Sequence, residues 1–142
     1  MIEQRFKLDK REKQKIRGIL KEAIATIEEV EFAYIYGSFQ EDCGFHDIDV
    51  AVYLSQTDDA DPLKYELSLA SMLERRIRFP VDVRVLSYNH APNSFRYEVT
   101  RGEVVFSRNE ELRFGFVERT WREYLDYKPV AEYILQELVD AT

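Results

Sequence analysis

Three aspartates, a glycine and a serine are the residues of this chain whose types and spacing suit phosphate chemistry. In the stretch YGSFQEDCGFHDIDVAVYL, Tyr36 to Leu54, Asp47 and Asp49 stand two residues apart at the start of an apolar run. If that run is a strand, both side chains leave the same face, about 7 Å apart along the chain. Two like charges so placed repel, which raises one carboxyl pKa unless a cation sits between them. Hard divalent cations take oxygen ligands, and magnesium usually shares its shell with a substrate phosphate. Asp82, within VDVRVL, supplies a third carboxylate from a different run. If the two strands are neighbours the three converge, and such a trio can hold two metals for in-line phosphoryl or nucleotidyl transfer. Gly37-Ser38 closes the preceding strand, where a glycine and a small hydroxyl let backbone N–H groups approach phosphates closely. The competing reading is an edge strand carrying solvent-facing aspartates.

Other candidates carry less. Cys43 lies between the two halves of the motif and has no neighbour that would lower its pKa, so it reads as a bystander. His46 reads as a loop histidine. Arg84, beside Asp82, leaves two readings open: contact with a triphosphate, or a salt bridge to the carboxylates. Phe114, Phe116, Trp121, Tyr124 and Tyr133 recur at helical spacings and read as core or dimer surface.

Alternating strands and helices must hold these residues. Asp9 and Glu12 form a capping box for a helix over about Lys10 to Glu29, with Ile16, Ile19, Leu20, Ala23, Ile24 and Ile27 on its apolar face. Strands follow at Glu31 to Tyr36 and Ile48 to Leu54. In the second, Ile48, Val50, Val52 and Leu54 face one way and Asp47, Asp49, Ala51 and Tyr53 the other. After a polar loop over 56–61, Asp61 and Pro62 open a helix whose buried face is predicted as Leu63, Leu67, Ala70, Leu73 and Ile77, stopped by Pro80. Val81 to Leu86 reads as a third strand, 93–101 as a short helix and Glu103 to Ser107 as a small strand. The end reads as a helix over about Glu110 to Tyr127, a break at Lys128-Pro129, and a last helix to about Val139. This is an α/β (α+β) pattern: a small mixed sheet packed by helices, one domain over 1–142 with 108–142 as a C-terminal helical extension.

Composition narrows the function. The 142 residues are 45% hydrophobic and 33% charged, a globular balance with chain enough for a core. The net charge is −7, which disfavours a nonspecific nucleic-acid binder and a template-directed polymerase. Residues 1–22 run against this trend, with eight basic and four acidic residues, and read as a solvated helix face or an interaction surface. One cysteine excludes an internal disulfide and two histidines leave any metal to carboxylates. No apolar run is long enough to span a membrane and no signal core opens the chain, so a reducing cytoplasm is the simplest home.

Gly37-Ser38, Asp47-Ile48-Asp49 and Asp82 inside VDVRVL resemble the polymerase-β-type nucleotidyltransferase superfamily, and within it the minimal nucleotidyltransferase antitoxins of the MntA type. The stretches VDVRVLSYNHAPNSFRYEVTRGEVVFSRNEE and REYLDYKPVAEYILQEL are similar to further parts of that family. Two features depart from the pattern. The GS-to-DxD spacing is shorter than usual, and Gln40-Glu41-Asp42 stand where Ala-Arg-Gly is common. The resemblance implies a nucleotidyltransferase-fold domain that binds magnesium and ATP. It implies a helical HEPN-type (HepT-like) ribonuclease toxin as partner, neutralised by transfer of AMP to its tyrosine. It makes Gly37 and Ser38 phosphate-holding, Asp47 and Asp49 metal ligands, and Asp82 the third carboxylate and base. Two rivals follow: a non-enzymatic antitoxin that binds the toxin, and nucleotidyl transfer to a small molecule. The chain would work in a hetero-complex or a homo-oligomer.

Overall fold

The computed structural model describes residues 5–42, 44–56, 61–87 and 91–141. Cys43 and most of the predicted 56–61 loop lie outside them. Chain order is α1 (Lys10–Ala25), β1 (Val30–Tyr36), a 3₁₀ turn (Gly37–Gln40), β2 (Ile48–Leu54), α2 (Pro62–Ile77), β3 (Val81–Val85), α3 (Asn93–Thr100), β4 (Glu103–Ser107) and α4 (Glu110–Asp140). The sheet order is β3-β2-β1-β4, with β2 and β3 parallel and the other pairs antiparallel. The predicted mixed α/β sheet is therefore present. α2 is the crossover that a parallel β2–β3 pair requires.

Alternation along the strands builds two cores. Ile48, Val50, Val52, Val81, Val83 and Val85 pack against α1 and α2. Phe32, Tyr34 and Ala51 face the other way, onto Leu86, Val99 of α3 and Phe116 of α4. The Asp9–Glu12 capping box forms. α1 stops short of the predicted Glu29. The Arg108 guanidinium bridges the turn from α1 to β1, donating to the Ala25, Ile27 and Val30 oxygens at 2.7–3.1 Å.

Two further expectations fail. Leu63 and Leu67 are exposed; the buried face of α2 is Leu69, Ala70, Leu73 and Ile77. Glu66 lies in that face and accepts from the Val85 N–H at 2.9 Å, and Glu74 accepts from the Val81 N–H at 2.9 Å. These two carboxylates bond backbone N–H groups of the edge strand that carries Asp82, so α2 is turned to serve β3 rather than to bury Leu63. The break at Lys128-Pro129 is also absent, since α4 runs through Pro129 without interruption. The missing N–H frees the Leu125 carbonyl, and Leu125 lies on an exposed part of the helix where water can satisfy it.

Candidate active site

β2 is an interior strand, which removes the edge-strand reading for Asp49, while Asp82 stands on the edge strand β3. Asp49 pairs in register with Asp82 on β3 and with Tyr36 on β1. One row across three strands thus reads Tyr36, Asp49, Asp82, with neighbours spaced by roughly 4.8 Å strand separation. The row borders a cleft of about 520 Å³ lined by Tyr36, Asp49, Glu66, Asp82, Arg84 and Phe95, among others. Asp47 is exposed and stands just before β2 begins; its charge still reaches Asp49.

Gly37 and Ser38 follow directly, opening the 3₁₀ turn at the end of β1. Gly37 has φ +78°, and a Cβ there would lie 2.4 Å from Asp49 Oδ2. The glycine therefore sits against the central carboxylate, which takes the place a side chain would fill. The turn is anchored from below. Phe39 and Phe45 are fully buried and meet edge-to-face at 5.0 Å, while Phe45 exchanges backbone hydrogen bonds with Phe6. From α1, buried Lys13 donates to the Glu41 carbonyl at 2.7 Å, and Arg17 reaches the Gln40 side chain and lies 3.0 Å from Glu103. Part of the basic N-terminal segment thus clamps the loop between the motif halves.

Burial, then Asp82 and Asp47, push the Asp49 carboxyl up to about 6, against a smaller opposing effect of Arg84. Burial, then Asp49 and Asp82, raise the Tyr36 hydroxyl above its usual range and keep it a neutral donor. Arg84 forms the salt bridge, with Nε 3.5 Å from Asp82 Oδ2. Among the described residues no three carboxylate, imidazole or thiol groups form a ready-made metal cage. Magnesium does not need one, because one or two carboxylates plus substrate phosphates commonly suffice. The hard-oxygen donors Asp49 and Asp82, their mutual repulsion and the cleft of about 520 Å³ they line fit such an ion.

Without a cation this repulsion has a measurable consequence. Above pH 6 Asp49 is ionised in both folded and unfolded chains, and the folded state bears the penalty. Stability rises as pH falls from about 6 toward 3.8, where the folded state takes up the proton first. Asp49→Asn is therefore expected to stabilise the metal-free protein at pH 7.5 by ~1–2 kcal/mol, after discounting for partial exposure. Thermal melting in EDTA reads this; an unchanged or lower midpoint refutes it.

The sequence pattern missed Tyr36 and Glu66 as cleft residues. Tyr36 was legible from its place immediately before Gly37. Glu66 was legible as a carboxylate three, four, seven and eleven residues before Leu69, Ala70, Leu73 and Ile77, inside an apolar face.

The polymerase beta nucleotidyltransferase family matches residues 14–111, the span from α1 to the start of α4. The chain is a member of that nucleotidyltransferase family. The fold agrees with solved structures. A Shewanella oneidensis complex of a tri-AMPylated HEPN toxin with MNT antitoxin matches at 21% identity and TM-score 0.65, covering 89% of this chain and 98% of that one. A toxin-antitoxin structure with AMP-PNP matches at 20% identity and TM-score 0.67, covering 87% and 98%. An MntA-HepT complex matches at 20% and 0.62, covering 92% and 99%. Comparison with curated proteins finds no match. Among the described residues of this nucleotidyltransferase, no helix is long and apolar enough to cross a membrane.

Proposed function

We propose that this nucleotidyltransferase is the antitoxin of a toxin-antitoxin pair and transfers AMP from ATP to a tyrosine of a HEPN-type toxin. The observation that carries the reading is the in-register row of Asp49 and Asp82 beside Gly37. The AMPylated toxin in one structural relative and AMP-PNP in another support the donor and the acceptor class.

Asp47, Asp49 and Asp82 would hold magnesium, with Gly37 and Ser38 receiving the phosphates. Magnesium bound there supplies neutralisation of the charge that develops on the transferred phosphoryl group. Phe95 and Tyr36 wall the cleft. Asp82 accepts the proton of the acceptor hydroxyl, whose oxygen bonds to the α-phosphorus of ATP. The bond from that phosphorus to the bridging oxygen breaks and pyrophosphate leaves. Arg84, 3.5 Å from Asp82, orients that carboxylate.

The test is incubation with magnesium, ATP labelled at the α-phosphate and the helical toxin encoded beside this chain. The toxin mass is expected to rise by AMP units, and the label to vanish with Asp49→Ala. Toxicity neutralised without label would make the protein a binding antitoxin. Label on a small molecule would place the acceptor elsewhere.

A further inference from the structure

α4 is one amphipathic helix whose apolar stripe is covered over half its length. In the first half, Leu112, Phe116, Val117 and Thr120 turn the stripe onto the protein's own second core. The covering ends at α3, where Tyr97 stacks on Tyr124 at 3.8 Å and the Trp121 indole donates to Thr100 Oγ1 at 2.8 Å. At 100° per residue the same stripe then continues through Tyr127, Val130, Ala131, Ile134, Leu135 and Leu138, an arc of about 140° without a polar residue. The large side chains in this second half are 51–66% exposed. Nearly all of α4 lies beyond the residues that match the catalytic family, 14–111.

Charge and position narrow the kind of partner the stripe fits. Residues 123–140 carry five carboxylates against Lys128 alone, a net charge of −4. A second copy of this helix would bring −4 against −4. A ribonuclease binds a polyanion and so carries cationic surface. The stripe also begins in a groove of about 570 Å³ between Asn93 and Tyr124, and Pro92 lines both this groove and the cleft that holds Asp82.

We propose that the second half of α4 is a docking rail for a basic amphipathic helix of the acceptor toxin, which delivers the acceptor segment over Pro92 to the cleft. The proposal rests on the antitoxin reading but concerns binding, so the two can fail separately. Apolar side chains supply the contact area, and Asp126, Glu132, Glu137 and Asp140 select a cationic partner.

The experiment uses the full chain and the toxin encoded beside it. Ile134→Glu with Leu138→Glu is expected to weaken toxin binding at least 100-fold and slow toxin labelling in proportion at sub-saturating toxin. Magnesium-dependent ATP binding and the circular dichroism of the variant should stay as in the wild type. Glu132→Lys with Glu137→Lys should weaken binding about tenfold at low salt and flatten its salt dependence. Asp49→Ala should bind toxin normally and transfer nothing. Wild-type toxin affinity in the Ile134/Leu138 variant overturns the rail, as does a stable wild-type homodimer that this variant dissociates. Toxin that binds through the rail but is never labelled leaves the rail standing and removes the transferase reading.

Discussion

Asp82→Asn is expected to leave ATP bound and to slow AMP transfer by about 10²–10⁴-fold, the usual cost of losing a positioned base. The amide keeps the size of the carboxylate and its place on β3 in register with Asp49, so the cleft wall is preserved. The amide keeps one oxygen that can ligate magnesium and loses the capacity to take a proton. Asp82 suits that role by position: its side chain is partly exposed and lines the cleft. The β3 backbone on either side of Asp82 is held at Val81 and Val85 by Glu74 and Glu66 of α2, so the substitution should not loosen the strand. Single-turnover transfer to the toxin at saturating ATP isolates the chemical step, and calorimetry reads nucleotide affinity separately. Asp49→Ala should instead lose magnesium-dependent ATP affinity as well as transfer. If Asp82→Asn transfers at the wild-type rate, the base lies elsewhere and Asp82 serves only the charge balance of the cleft.

The row of carboxylates was legible because β-strand alternation is a strong constraint. Valines at every second position of VDVRV and IDVAV force Asp82 and Asp49 to the opposite face, and a helix between the two strands makes them parallel neighbours. The capping box at Asp9 and the Asp61-Pro62 start were equally local signals. Helix faces were less legible. Leu63, Leu67, Ala70, Leu73 and Ile77 have proper helical spacing, yet the sheet edge rotates α2 so that Glu66 takes the inward place and Leu63 faces out. Spacing gives a stripe; the hydrogen-bonding need of an edge strand decides which stripe turns inward. Pro129 failed for a related reason. The carbonyl it frees, on Leu125, lies on an exposed stretch where water can satisfy it. Phe39 and Phe45, inside a segment read for its polar chemistry, proved to be the buried anchors of that segment.

Gly37→Val is expected to abolish measurable ATP binding while costing the fold ~2–4 kcal/mol. Two effects combine. Residue 37 has φ +78°, where a β-branched side chain carries about 1–3 kcal/mol of backbone strain. The first added carbon would also stand 2.4 Å from Asp49 Oδ2, closer than any real contact, so either the turn or the carboxylate must move. Turning the Asp49 carboxylate aside takes it from its place beside Asp82; moving the turn would displace Ser38, the residue proposed to receive the phosphates. Gly44 provides the comparison. It too has positive φ, +93°, but a Cβ there meets Arg5 and Phe6 rather than a site carboxylate. Gly44→Ala should therefore lower the melting midpoint and leave the folded fraction able to bind ATP. Thermal melting paired with ATP titration in magnesium separates the two. If folded Gly37→Val protein binds ATP as the wild type does, Gly37 is a packing residue and the phosphates are held by other groups.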